Sequence, residues 1–183
     1  MPQLLTCLGS DLPPNLRCQI VSFMRVYAPQ VFRSQPIGWD FIDAMPHPVS
    51  VALVEQNVLI SHALVTWRWL THAGVTHKMY GLSAVFTYPE FRGQGYGHQV
   101  VEAATRYILE SDADSAMLRC KLELYPFYQA SGWITMEATR LRIGVPDAAP
   151  EAGRVMMLFV SEQGQQSRAA FEREPVYVGE YMW

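Results

Sequence analysis

The sequence is poor in the features that mark several large protein classes. Cysteine occurs only three times in 183 residues, at Cys7, Cys18 and Cys120. No two form a CxxC pair and no histidine completes a metal-ligand spacing beside them, so no metal centre and no disulfide framework is expected. A sparse, odd set suits a reducing compartment. Basic residues number 14 against 17 acids, a formal charge of −3, and they nowhere cluster. A nucleic-acid partner therefore finds no support. No apolar run reaches the roughly 18 to 20 residues that span a bilayer. The opening Met1-Pro2-Gln3-Leu4-Leu5 lacks the basic segment of a secretory signal. These absences lead to the expectation of a cytoplasmic protein with no membrane partner. With 50% hydrophobic and 17% charged residues, the composition is globular, and residues 1–183 are expected to form one domain.

What is present is a succession of strand and helix signals. Gln3 to Leu8 reads as a short strand. From Leu16 the positions Ile20, Phe23, Met24 and Tyr27 follow helical spacing, with Ser10 or Asp11 as cap, Pro13 and Pro14 in the first turn and Pro29 closing the run. Trp39 to Met45 suggests a second short helix. Val49 to Val54 and Val58 to Leu70 flank a hairpin turn at Glu55-Gln56-Asn57. A second turn at His72 to Val75 leads into a strand from about Lys78 to Tyr88. An amphipathic helix follows from about Gly97 to Glu110, then a strand from Ser115 to Cys120. Glu123 to Ser131 reads as a short helix closed by Gly132. Trp133 to Ile143 and Val155 to Val160 read as strands. The segment 146–150 reads as a surface loop and the stretch Ser161 to Ser167 as polar and mobile, and the tail from Val176 to Trp183 is aromatic.

Chemistry concentrates at Arg92-Gly93-Gln94-Gly95-Tyr96-Gly97, between the strand ending in Val85-Phe86-Thr87 and the following helix. A strand, a glycine turn and a helix N-terminus present backbone N–H groups to an anion. The spacing is RGxGxG rather than GxGxxG, and no Gly-Lys-Ser/Thr ending follows, so it is neither a dinucleotide fingerprint nor a P-loop. A simpler reading also stands, in which the glycines only permit positive φ in a tight connection. Some thirty residues on comes Phe127-Tyr128-Gln129-Ala130-Ser131-Gly132-Trp133.

In this order the two motifs resemble those of the GNAT superfamily of N-acetyltransferases, which carry an Arg/Gln-x-x-Gly-x-Gly/Ala turn and a Phe-Tyr-x-x-x-Gly-Phe pattern. The resemblance implies an α/β (α+β) fold with a mixed, mostly antiparallel sheet of six to seven strands, splayed at the site and flanked by helices. It implies acetyl-CoA as acetyl donor. Arg92, Gly93, Gln94, Gly95, Tyr96, Gly97 and His98 would hold the pyrophosphate. The Val85 and Thr87 main chain would line the pantetheine arm, with the Val85 N–H facing the acetyl carbonyl. Tyr128 would be the general acid for the leaving thiolate, its alternative being a packing tyrosine. The acceptor would be a small-molecule amine attacking directly in a ternary complex. A homodimer remains open.

Two departures from the family pattern matter. Lys121 stands where many members carry an asparagine, and the strand positions Tyr80, Gly81, Leu82 and Ser83 include no carboxylate to act as base. At pH 7 an alkylamine is neutral in only about one part in 2,500, a penalty of about 4.6 kcal/mol. Candidates for the missing base are the C-terminal carboxylate of Trp183, Glu180, His62, Asp40 and Asp43. The aromatic-acidic tail, with Ile60 to Val65, is further similar to the aminoglycoside 2′-N-acetyltransferases, where it would set Trp183 at the acceptor. A non-catalytic acyl-CoA-binding protein of the same fold and a peptide N-acetyltransferase are the alternatives.

Overall fold

In the computed structural model the described residues are 1–34, 40–145, 151–152 and 154–180. Two left-handed residue pairs make the hairpins. Gln56 and Asn57 (φ 50° and 65°) join β2 (Val49–Glu55) to β3 (Val58–His72), and Ala73 and Gly74 (φ 49° and 79°) join β3 to β4 (Val75–Thr87). Paired positive φ angles give the turn whose twist matches right-handed strands. Before them β1 (Gln3–Leu8) pairs antiparallel with β2, and β2 pairs antiparallel with β3. Farther along come β5 (Ser115–Leu118), β6 (Ile134–Met136), β7 (Leu141–Arg142), β8 (Glu151–Ala152), β9 (Val155–Phe159) and β10 (Val176–Tyr177). The main sheet has seven strands in the order β1-β2-β3-β4-β5-β9-β6, and β10-β7-β8 form a small second sheet. β4 meets β5 in parallel, whereas β5–β9 and β6–β9 are antiparallel. The mixed, mostly antiparallel sheet is the expected fold class.

The helices are α1 (Pro14–Tyr27), α2 (Pro29–Ser34), α3 (Tyr96–Leu109), α4 (Tyr125–Gln129) and α5 (Glu162–Arg173). The chain forms two compact units, residues 1–66 with 83–104, and residues 67–82 with 105–183.

In the first unit α1 buries Leu16, Ile20, Val21, Phe23 and Met24 in a core with Ala52, Leu59, Leu64 and Phe86. Polar bonds fix how α1 lies on the hairpin. The Gln19 side chain donates to Asn57 O at 2.9 Å and accepts from Leu59 N at 2.8 Å, and the Tyr88 hydroxyl donates to Gln19 O at 2.8 Å.

The second unit has a core rich in methionine, with Met79, Met117, Met136 and Met157 around Phe171. Asp114 is its polar hub. Its carboxylate accepts from Lys78 N at 2.8 Å and from Ser161 Oγ at 2.6 Å, and its carbonyl accepts from Val160 N at 2.9 Å. Helix α5 starts here, with Ser161 as N-cap, and a Cβ added at Gly164 would sit 1.9 Å from Asp114 O. Glycine at position 164 is therefore what allows the helix to approach.

Several expected elements differ. Neither Ser10 nor Asp11 caps α1: both lie in a 3-10 turn, and Pro13 holds the cap position without a side-chain bond. Pro29 opens α2 rather than only closing α1, since proline suits a first helical turn. Residues 40–44 make a turn, with Ala44 N bonded to Asp40 O at 2.9 Å, and Trp39 lies outside the described residues. The stretch Ser161 to Ser167, expected to be polar and mobile, lies largely within helix α5. The strand expected from Trp133 to Ile143 is split into β6 and β7. The loop 146–150 lies outside the described residues.

Candidate active site

The glycine turn is built in steps. β4 ends at Thr87, a 3-10 turn covers Pro89–Phe91, and Arg92 is extended (φ −69°, ψ 158°). Gly93 and Gly95 then take φ angles of 76° and 78°, and α3 begins at Tyr96. Those angles call for glycine. A Cβ at either position would meet nothing within 4 Å, so packing does not select the glycines and the space beside them is open. Residues Arg92 to Gly95 and His98 are exposed, with Tyr96 and Gly97 half-buried. The N–H groups of the first α3 turn have no acceptor inside the helix and carry the positive end of its dipole. Arg92 Nε donates to Thr87 O at 2.9 Å, and its guanidinium carbon lies 5.9 Å from the Tyr27 ring. The turn therefore offers uncrowded N–H donors, a helix end and a cation, which fits a diphosphate.

Just upstream the strand is kinked at one residue in a way the sequence does not announce. Ala84, in mid-β4, has φ 45°, a left-handed angle on a residue with a Cβ. Such a conformation costs about 1–2 kcal/mol and needs support from its surroundings. Two polar side chains of β3 supply bonds at this point. His62 Nδ1 donates to Ala84 O at 3.0 Å, and its Nε2 lies 3.3 Å from Ser50 Oγ. Ser61 Oγ donates to Phe86 O at 2.9 Å and lies 2.9 Å from Thr87 Oγ1. Val85 and Thr87 are half-buried beside these bonds. Just past the end of β4, the Tyr88 N–H donates to Ile60 O at 3.0 Å.

His62 is wholly enclosed, and burial lowers its pKa to about 4, against a small opposing effect from the Ala84 carbonyl. A neutral imidazole with both nitrogens engaged is a poor base candidate. Asp43 pairs with Arg17, which also donates to Gly9 O at 2.7 Å, so its carboxylate serves the local fold. Asp40 and Glu180 are exposed. Trp183 lies outside the described residues.

Tyr128 belongs to the second unit, on α4, and is only 6% exposed. Its carbonyl accepts from Ser131 N at 3.0 Å and Trp133 N at 3.3 Å, and Gly132 turns the chain with φ 87°. Trp133 is buried and donates from Nε1 to Thr105 Oγ1 at 2.9 Å, so the indole in place of phenylalanine has its polar edge satisfied. Burial pushes the Tyr128 phenol above its ordinary value, and the nearby Cys120 adds to the rise. Cys120 is itself pushed up to about 11, by burial and then by Glu123. The phenol is thus protonated at neutral pH, as a proton donor must be. It is a weaker acid than a free phenol, so the proton costs more to give than the unperturbed value implies. Lys121 is exposed, 3.7 Å from Glu123.

The structure thus gathers Val85, Thr87 and Arg92 to His98 in the first unit and sets Tyr128 in the second. Sequence reasoning overlooked Ala84, Ser50 and Ser61. Nothing local in the sequence signals a left-handed alanine, and paired serines read as ordinary strand polar residues.

Comparison with known proteins places this arrangement. The acetyltransferase (GNAT) family profile matches residues 20–133. The chain belongs to that family. The matched GNAT domain includes the glycine turn, Ala84, His62 and Tyr128, and it makes this chain an acyltransferase of the GNAT class. No curated protein sequence matches it. Among solved structures, the Escherichia coli GNAT family N-acetyltransferase YhbS, in complex with CoA, is 12% identical with a TM-score of 0.63, covering 99% of this chain and 91% of its own. A GNAT family acetyltransferase from Brucella melitensis, in complex with acetyl-CoA, is 14% identical with a TM-score of 0.54, the alignment covering 87% and 89% of the two chains. A probable N-acyltransferase from Enterococcus faecalis is 16% identical with a TM-score of 0.55. The match covers 79% of this GNAT chain but only 38% of that longer one. Identities this low carry the fold and leave the acceptor open.

Proposed function

We propose that this GNAT domain, taken as one functional domain, transfers an acetyl group from acetyl-CoA to the primary amine of a small, cationic acceptor, in a ternary complex without a covalent enzyme intermediate. The observation that carries the reading is the pair of left-handed glycines, Gly93 and Gly95, opening onto free space at the start of α3. In this reading the N–H groups from Arg92 to His98 bind the pyrophosphate, and the Val85 and Thr87 main chain lines the pantetheine arm. The Val85 N–H meets the thioester oxygen as charge develops on it, a form of stabilisation worth several kcal/mol in enzymes generally. Tyr128 gives its proton to the departing thiolate. Structural relatives that bind CoA and acetyl-CoA support the donor.

The acceptor is the finer part of the proposal. The β4 positions Tyr80 to Ser83 carry no carboxylate and His62 is buried and neutral, so an amine with a pKa below that of an alkylamine suits the site, since less of it is protonated at pH 7. Aminoglycoside-like amines meet that condition, and the tail resemblance, with Trp183 as acceptor contact, points the same way. A cytoplasmic location belongs to the same reading. The test is thiol release from acetyl-CoA against aminoglycosides, polyamines, amino acids and peptides. Acetylation of an amine of small size, with a rate that rises through the acceptor's own pKa, is the expected result.

A further inference from the structure

We infer that Ser50, His62 and Ser61 are positioning residues which hold the left-handed kink of β4 at Ala84 and thereby aim the Val85 N–H at the acyl carbonyl of the donor. The inference rests on acetyl-CoA being the donor.

One peptide bond couples the two groups. The described residues contain no cis peptide, so the Ala84 carbonyl and the Val85 N–H, which share a peptide plane, point in opposite directions. Whatever grips the carbonyl fixes where the N–H goes. His62 grips it from Nδ1 at 3.0 Å. A carbonyl can only accept, so Nδ1 carries the ring proton, and the Nε2 lone pair accepts from the Ser50 hydroxyl at 3.3 Å. The register sets His62 opposite Ala52 and Ser50 opposite Leu64. Ser50, Ala52, His62 and Leu64 therefore share one face, and the imidazole reaches from β2 across β3 to β4. Ser50 and His62 both have 0% exposure, so water cannot replace either partner.

The next peptide is fixed the same way. Ser61 Oγ donates to Phe86 O at 2.9 Å, so the Thr87 N–H points away from Ser61. With its proton so used, Ser61 accepts from the Thr87 hydroxyl at 2.9 Å. Side chains thus hold two β4 carbonyls, Ala84 O and Phe86 O, on either side of Val85. The N–H groups of Val85 and Thr87 are turned away from the side chains that hold their peptides, and that is the side on which the proposal sets the donor. Strain at Ala84 is what such support maintains: without His62, a left-handed alanine would relax toward an ordinary strand and carry the Val85 N–H with it.

The experiment compares binding of acetyl-CoA with that of S-ethyl-CoA, a thioether of nearly equal size that lacks the carbonyl oxygen, by calorimetry. One hydrogen bond predicts that wild type prefers acetyl-CoA by about 2- to 10-fold. His62→Leu should abolish that preference while leaving S-ethyl-CoA affinity within about twofold. His62→Gln, which keeps an N–H donor, should restore part of it, and Ser50→Ala should reduce it. A merely structural role would weaken both ligands together. A preference that survives His62→Leu, or is absent from wild type, overturns the proposal. Should His62→Leu fail to fold, 15N NMR of wild-type His62 decides: the Nδ1–H tautomer is required, and the Nε2–H tautomer overturns it. If neither ligand binds wild type, the donor reading fails, while the tautomer still tests the lock by itself.

Discussion

At the scale of single residues, Gly95 and Tyr128 separate binding from chemistry. Gly95 holds φ 78° beside open space, so Gly95→Ala meets no clash and only forces a Cβ into a left-handed conformation. The strain is about 1–2 kcal/mol. Relaxing it rotates the N–H groups that start α3, so CoA affinity should fall by about 5- to 30-fold, one decade per 1.4 kcal/mol. Calorimetry beside a melting curve checks this: a stability loss with unchanged CoA affinity would remove the turn from the donor site. Tyr128→Phe should do the opposite. Positioned proton transfer contributes about 10²- to 10⁴-fold, so kcat should drop by at least about 100-fold while the Kd for CoA stays within about twofold. Because burial and Cys120 raise the phenol, its deprotonation cannot shape the rate below about pH 10. Any alkaline limb seen below that belongs to another group. Activity untouched by Tyr128→Phe would make Tyr128 the packing tyrosine of the alternative reading.

At the scale of elements, legibility followed the source of the stabilising energy. α1 and the β2–β3 hairpin were readable because apolar periodicity and turn residues specify them locally. α5 was not, because its buried residues are Gly164 and Phe171 rather than an apolar stripe, and a cap at Ser161 and the fit of Gly164 on Asp114 hold its start. The kink in β4 was also illegible, since the ring that supports it comes from β3 and a hydroxyl from β2. Of the site, both motifs were visible as sequence, whereas the support behind Val85 appears only when the strands are paired. That support has a pH signature. The His62 pKa, about 4 when folded against 6.5 as the ordinary value, means that the unfolded chain binds the proton more readily. Its contribution is complete above about pH 6.5 and is lost as pH falls toward 4, by about 3 kcal/mol in total. Burial lowers His77 too, against Asp114, so wild type alone does not isolate the term. Urea unfolding of wild type and His62→Gln at pH 7.5 and pH 4.5 does. The variant should lose markedly less stability over that interval, and equal losses would show that His62 is not buried neutral.

At the scale of the whole molecule, the family domain from residue 20 to 133 runs through both compact units. Among the described residues no helix is long and apolar enough to cross a membrane. Ligand linkage tests which part of the donor this chain reads. A ligand at 100 times its Kd stabilises the folded state by about 2.7 kcal/mol. For a chain of 150–250 residues each kcal/mol moves Tm by about 2–4 °C, so saturating CoA should raise Tm by about 5–10 °C. Pantetheine carries the thiol arm without the diphosphate. If the N–H groups from Arg92 to His98 supply most of the binding energy, pantetheine at the same concentration should shift Tm by no more than about 1 °C. Gly95→Ala should then shrink the CoA shift and leave the small pantetheine shift alone. Equal shifts from CoA and pantetheine would mean that the arm alone is recognised. The glycine turn would then be a tight strand–helix connection, with the anion bound elsewhere or not at all.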